Sequence, residues 1–304
     1  MNKIFHYLIK PRLFLAFLLR QPFIAKHIPD EKYVRWNYRL SMGEKLNLHD
    51  PVTFREKIQW LKLYNRKPEY TTMVDKLAVK TYVANKIGNE FVIPTIAVFN
   101  TVNDIDITSL PDRFVIKSTN GGGCNGVILC TDKSVFNLSK AKKQLSASLN
   151  FDIYMAYREW PYKDVERKIF VEQFMTDGVT DDLKDYKFFC FNGVPQFVQV
   201  IQNRRTHETI DFFDSDWTHQ EFVGLNPSCE NADVPPEKPS NFECMLEIAK
   251  ILSKDIPFVR IDLYDIKGHV YFGEITFFPN SGEGAFKPLK YDRILGDMIV
   301  LPQV

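Results

Sequence analysis

Two rhythms of apolar and polar residues run along this chain, and the change from one to the other divides it. Between residues 28 and 70 the spacing is helical: in TFREKIQWLKLY (53–64), Phe54, Ile58, Leu61 and Leu63 fall among charges on one helix face. Thr53 stands where an N-cap belongs, and Glu56, three residues on, completes a capping box. VDKLAVKTYVANKI (74–87) predicts a second helix, stopped by Gly88. Beyond it the apolar runs shorten and become β-like: FVIPTIAVF (91–99), RFVIKS (113–118), VILC (127–130), KIFVEQF (168–174), YKFFCF (186–191), QFVQVIQ (196–202), FVRIDLY (258–264) and HVYFGEITFF (269–278). Asn192-Gly193 and Lys267-Gly268 supply hairpin turns. Helices are expected at 138–149 and 241–254, with VPPEKP (234–239) as a surface connection before the second. Antiparallel hairpins with helices between them, and no regular βαβ alternation, place the chain in the α+β class.

Composition narrows this picture only a little. The 304 residues are 45% apolar and 25% charged, ordinary for a globular protein with a substantial core. With 25 Phe and 13 Tyr, aromatic packing should dominate the interior. A net charge of +1, and no basic block interleaved with aromatics, give no nucleic-acid footprint. Cysteines 124, 130, 190, 229 and 244 form no CxxC pair and the six histidines are scattered, so neither a disulfide framework nor a zinc site is indicated.

Residues 1–24 mix apolar positions with Lys3, Lys10, Arg12 and Arg20. Leu13–Leu19, the longest uncharged run, is far short of the roughly 20 residues that span a bilayer. Pro11 and the lack of a small-residue cleavage site argue against a secretion signal. Two readings stay open: a basic amphipathic segment on a membrane surface, or a helix packed on the body.

Three constellations can carry chemistry. Arg260-Ile-Asp262 and Glu274-Ile-Thr276 lie on the two strands of one hairpin, where the i, i+2 alternation gathers their side chains on one face. Converging hard oxygens suit Mg²⁺ bridging nucleotide phosphates; a half-exposed hairpin with ordinary surface charges has the same spacing. Lys117 ends a strand before Gly121, Gly122, Gly123 and Gly126, a loop whose amides can approach a phosphate or which is simply a flexible hairpin. It matches neither a Walker A motif nor a dinucleotide fingerprint. Glu172, Phe174 and Met175 close a strand in a manner that suits a hinge over an adenine ring, with Asp185 and Lys187 on the next strand. Arg204, Arg205 and His207 form either an anion site or a solvated loop.

Read in order, these elements resemble the ATP-grasp superfamily, and specifically its TupA-like family of polysaccharide and teichuronopeptide biosynthesis. The resemblance runs from LNLHDPVTFREKIQWLKLY through VDKLAVKTYV, FVIKSTNGGGCNGV, KIFVEQF and DYKFFCFNGVPQFVQV to FVRIDLYDIKGHVYFGEITFFPNSG. It implies an ATP-grasp fold, two α+β subdomains clasping ATP over residues 71–304, preceded by an N-terminal helical region at 1–70. Lys76 and Lys117 look like the lysines aimed at nucleotide phosphates, Gly121–Gly126 like the flap over them, and Glu172 with Phe174–Met175 like the adenine hinge. Asp185 takes the place of the ribose-binding acid, Lys187 that of a phosphate contact, and Asp262 and Glu274 those of the metal carboxylates. Arg260 matches the arginine that steadies the reacting acyl group, with Arg204 and Arg205 as further basic candidates. Thr276 stands where ATP-grasp enzymes usually have a ligating Asn, a variation that suits the TupA-like branch, and Asn280 where a Gly commonly follows the Pro.

The resemblance therefore implies ATP and Mg²⁺ as cofactors, with a carboxylate activated as acyl phosphate and joined to an amine. A sugar-acid acceptor, an amino acid or amino alcohol as donor, and a cytoplasmic site at the inner membrane face fit a surface-polysaccharide role. Phe212, Phe213, Trp217 and Trp60 are open to sugar stacking or to core packing. The alternative is a glycosyltransferase of capsule biosynthesis, for which Asp214-Ser-Asp216 and Asp104-Ile-Asp106 offer weak DxD-like pairs. Cys124 has no activating neighbour in sequence and reads as a small loop residue.

Overall fold

The computed structural model describes residues 11–122, 126–178, 183–204, 207–226 and 228–303. Two antiparallel sheets organise them. The smaller has the order β1 (Thr95–Phe99), β4 (Ile169–Gln173), β2 (Phe114–Ser118), β3 (Val127–Cys130). The larger runs β11 (His269–Thr276), β10 (Phe258–Ile266), β5 (Asp185–Phe191), β6 (Val194–Gln202), β7 (Thr209–Asp214), β8 (His219–Gln220). A short pair, β9 (Val223–Gly224) with β12 (Phe286–Lys287), stands apart. The α+β class expected from the alternation holds.

The hairpin turns form where the sequence places them. Asn192 and Gly193 take φ of 50° and 81°, and Lys267 and Gly268 take 53° and 76°, the positive values that match the twist of the flanking strands. Apolar residues along β5 are buried on both faces. Phe188 and Cys190 pack under the helix Phe242–Ser253, while Phe189, Phe191 and Phe258 point the other way. There Phe54 meets Phe258 edge-on at 4.9 Å and Phe286 at 5.4 Å. Phe54 opens the helix Phe54–Tyr64, whose Thr53–Glu56 capping box forms as expected. Arg55, next to it, pairs with Asp292 at 2.7 Å, and both are buried, so this helix is fastened to the C-terminal helix Lys290–Asp297. Phe54, Ile58, Leu61 and Tyr70 thus share one core with β5 and β10.

Two expectations need correcting. The helix anticipated over 74–87 is broken: Glu69–Val74 ends, Asp75 turns the chain by accepting the N–H groups of Leu77 (2.8 Å) and Ala78 (3.0 Å), and a second helix runs Ala78–Ile87. Lys76 therefore sits at a bend, not on a helix. The segment around Phe212 and Phe213 is strand β7, whose buried residues include the polar Thr209 and Asp211 as well as Ile210, Phe212 and Phe213.

The N-terminal helix Pro11–Leu19 buries Ala16 and Leu19 while Leu15 is 52% exposed; Phe23, in the next short helix, is 65% exposed. Helix Asp30–Met42 follows. Arg158 ties this region to the body by donating to the carbonyls of Ala25 (2.6 Å) and Ile28 (3.2 Å), and Tyr33 donates to Ala156 (2.8 Å).

Candidate active site

On the large sheet the face that begins with Phe191, Phe258 and Phe54 turns polar one row further along. Strand register sets Lys187 opposite Asp262 and Asp262 opposite Glu274, one residue from each of three adjacent strands. Arg260 faces Thr276 in the neighbouring row. Gly273 makes this alignment possible: the ladder shifts between Asp262 and Leu263, and a Cβ on Gly273 would lie 3.0 Å from the Asp262 carbonyl oxygen.

The resulting network is tight. Arg260 donates through Nε to Asp262 (2.6 Å) and through Nη2 to Asp262 (2.7 Å), Glu274 (3.0 Å) and Thr276 Oγ1 (3.1 Å). Lys187 contacts the same Asp262 carboxylate and lies 3.7 Å from Asp185, which also pairs with Arg204. From the bend, Lys76 reaches Glu274 at 2.7 Å, its own N–H held by the Thr119 carbonyl at 3.2 Å. Burial alone would raise the Glu274 carboxyl, but Lys76, Lys187 and Arg260 together hold it well below the usual carboxylate range. Burial likewise opposes the charge on Lys76, and Glu274 more than restores it.

The small sheet faces this cluster with a second one. Lys117 on β2 and Lys80 on the helix Ala78–Ile87 both pair with Glu172 on β4. Glu172 resists burial and stays ionised because the two ammonium groups outweigh desolvation. Its carboxylate is thus committed to lysines, while Phe174, at the strand's exit, lies under the Arg113 guanidinium at 4.1 Å. Met175 follows it in the connection toward β5. Counted over both clusters, six basic side chains face the carboxylates of Asp185, Asp262, Glu274 and Glu172, an excess of positive charge that suits a polyanion. One oxygen of Asp185 is buried and has no hydrogen-bond partner among the described residues, as expected where a ligand hydroxyl is to donate.

A cavity of about 630 Å³ opens beside Arg260, Glu274 and Thr276. Gly121 and Gly122 form one wall, Tyr157, Glu159 and Tyr162 another, and Asn280, Ser281 and Glu283 a third. Asn280 and Ser281 adopt left-handed φ of 46° and 55° in succession, a strained pairing for two non-glycine residues. The Asn280 side chain donates to the Leu225 carbonyl at 2.6 Å, which holds the turn in place.

The structure thus brings together Lys76, Lys187, Asp185, Arg204, Arg260, Asp262, Glu274 and Thr276 around the large sheet, and Lys117 with Glu172 on the small one. Gly123, Cys124 and Arg205 lie outside the described residues, as does the start of the N-terminal segment. Trp217 stacks on Phe213 at 4.2 Å, Phe212 and Phe213 are buried, and Trp60 packs on Tyr64 at 5.0 Å, so these rings serve the core. Of the DxD-like pairs, Asp214 closes its own turn by accepting the N–H groups of Asp216 (3.0 Å) and Thr218 (2.8 Å). Asp104 and Asp106 close local turns in the same way. Lys80, Tyr157, Glu159, Tyr162 and Glu283 escaped the sequence reading. The only signal for Lys80 was its spacing one helical turn after Lys76.

A family model, TupA-like ATPgrasp, matches residues 56–300. Solved structures with a similar arrangement include the D-alanine–D-alanine ligase of Helicobacter pylori, at 15% identity with 82% of this chain and 68% of that one covered and a TM-score of 0.45. D-alanyl-alanine synthetase A of Vibrio cholerae is similar at 12% identity, covering 80% and 62% with a TM-score of 0.41. The ATP-grasp ligase PsnB in complex with a minimal precursor is similar at 10% identity, covering 73% and 58% with a TM-score of 0.37. No curated protein matches the chain.

Proposed function

We propose, because the chain belongs to the TupA-like ATP-grasp family, that this protein is an ATP-dependent ligase that joins a carboxylate to an amine with release of ADP and phosphate. The observation that carries the reading is the row Lys187–Asp262–Glu274, bridged by Arg260 and bordering the cavity through Glu274 and Arg260.

The donor set fits Mg²⁺. Asp262 and Glu274 face each other across one strand pair and already share a cation in Arg260, with the Thr276 hydroxyl beside them. Mg²⁺ typically takes one or two carboxylates and leaves its remaining positions to phosphates and water. Bound there, it would neutralise charge on the transferring phosphoryl group. The protein's own contribution is positioning and charge. Lys76, Lys117 and Lys187 are held on carboxylates. When a nucleotide binds, phosphate oxygens take over as their partners, so the ammonium groups arrive already desolvated and close to position. Arg260, at the border of cleft and cavity, is placed to stabilise charge on the acyl oxygen. Asp185, with its free oxygen, would accept from ribose hydroxyls.

The carboxylate we assign is a uronic acid of a cell-surface polysaccharide or its precursor, and the amine an amino acid or amino alcohol. A cavity of about 630 Å³ accommodates a sugar-sized group. We place the protein in the cytoplasm, with the N-terminal helices resting on the inner face of the membrane. The exposed Leu15 and Phe23 support this, and among the described residues no helix is long and apolar enough to cross a bilayer. Mass spectrometry of products from ATP, Mg²⁺, a pool of uronic acids and a pool of amines tests the assignment: an amide with ADP is expected, and UDP released from UDP-sugars with no amide would overturn it. Flotation with anionic liposomes should favour the full chain over residues 25–304; equal flotation removes the membrane assignment.

A further inference from the structure

Three carboxylates line the cavity, and they are not equivalent. Glu274 is neutralised by Lys76 and Arg260. Glu283 takes both oxygens to Arg20, at 2.8 and 3.0 Å, and accepts from Asn37. Glu159 is only 8% exposed, yet among the described residues it makes no ion pair. One of its oxygens accepts from the Ser281 hydroxyl, and the other has no hydrogen bond among the described residues. The nearest cation, Lys62, is fully buried, but its ammonium donates to the carbonyls of Tyr157 (3.2 Å) and Ser281 (2.6 Å) instead. Lys62 thus pins both walls that flank Glu159 without closing on its carboxylate.

A buried carboxylate without a direct counter-ion is costly and marks a place where a ligand brings the missing charge. Two surroundings agree. Tyr162 supplies an aromatic wall that suits a cation, and Tyr157 opposite already holds one, with the Arg20 guanidinium 4.8 Å from its ring centre. Asn120, across the same cavity, keeps a buried amide oxygen that has no hydrogen-bond partner among the described residues. Burial pushes the Glu159 carboxyl above its ordinary value, with Lys62 and the Ser281 hydrogen bond pulling the other way and Glu283 reinforcing the rise. A raised carboxyl is a better proton acceptor.

We propose that Glu159 binds the amine substrate as its ammonium ion and removes the proton that blocks attack. The proposal rests on the ligase reading above. In the step, Glu159 takes one proton from R–NH₃⁺ and the freed lone pair forms the C–N bond. The C–O bond to phosphate breaks with its electron pair leaving on phosphate, which carries off the second nitrogen proton. The third stays on the amide nitrogen. The amine class is therefore a primary alkylamine that is protonated at neutral pH.

Hydroxylamine separates the steps, because it is a neutral nucleophile near neutral pH and needs neither the ammonium site nor the base. The full-length protein with ATP, Mg²⁺ and the uronic-acid pool should give hydroxamates with hydroxylamine and amides with a pool of protonated primary amines. Glu159→Gln is expected to lower amide formation by about 100-fold or more and to keep hydroxamate formation within about threefold of wild type. Glu159→Asp should recover part of the amide rate. Equal loss of both products, or of neither, overturns the proposal, as does a wild-type protein that makes hydroxamate but couples no protonated amine. Absence of hydroxamate from the wild-type protein would instead refute the ligase reading.

Discussion

Asp262→Asn separates a catalytic cluster from a structural ion network. Asp262 is 1% exposed, receives two hydrogen bonds from Arg260 at 2.6 and 2.7 Å, and contacts Lys187. Asn keeps the volume but removes the charge and sets an NH₂ group against cationic donors. Breaking a buried pair costs about 3–5 kcal/mol. Here the lower end applies, because Arg260 keeps Glu274 and Thr276 and Lys187 keeps Asp185. A loss of about 3 kcal/mol corresponds to a fall in Tm of roughly 5 °C for a chain of this size. Thermal unfolding would show this with or without ligand. The catalytic assignment adds that MgATP at a hundred times its Kd stabilises wild type by about 2.7 kcal/mol and the variant by much less. ADP release at a temperature where both proteins are folded should also drop about 100-fold or more. If ADP release stays within threefold of wild type and MgATP stabilises both proteins equally, Asp262 is no metal ligand and the cluster is structural.

Glu172→Gln should lower stability by about 3 kcal/mol near neutral pH, since Lys80 and Lys117 lose their shared buried partner. The Glu172 carboxyl titrates below its ordinary 4.5 in the folded state, so its contribution is full above that value and is lost as pH falls through the folded value. Urea unfolding between neutral and acid pH should therefore show a shallower acid-side decline for the variant, and parallel curves would refute the pairing. Thr276→Asn offers an amide oxygen in place of a hydroxyl and should lower the Mg²⁺ concentration for half-maximal ADP release by about tenfold, near 1.4 kcal/mol; an unchanged Mg²⁺ titration means position 276 does not ligate. Gly126→Ala places a Cβ 2.2 Å from both Ser118 Oγ and Ser148 Oγ at a φ of +79°. It should cost about 2 kcal/mol in chemical denaturation, and a neutral result would show that the loop base relaxes freely.

Local patterns settled a good deal. Alternation located β2, β3, β4, β5, β6, β10 and β11, the capping rule located the start of the helix at Phe54, and paired turn residues fixed two hairpins whose closure aligns the cassette. What escaped were features that depend on neighbours far along the chain. β7 buries Thr209 and Asp211 beside its apolar residues, and Asp211 is satisfied there by His219 and the Ala232 N–H, partners that only the fold supplies. The bend at Lys76 follows from one Asp side chain capping two N–H groups, which helical periodicity cannot reveal.

The amino-acid sequence by itself determined the α+β class, the hairpin turns and the residue types gathered on the Arg260–Thr276 hairpin, because these follow from local periodicity and turn chemistry over a few residues. The cavity was decided by tertiary structure alone. Arg20 and Glu283 meet across 263 positions, and Lys62 and Ser281 across 219. The inequality among Glu159, Glu274 and Glu283 depends on which cations packing brings within reach of each carboxylate. Charge pairing acts through a few ångströms of space, and only the folded chain defines those distances.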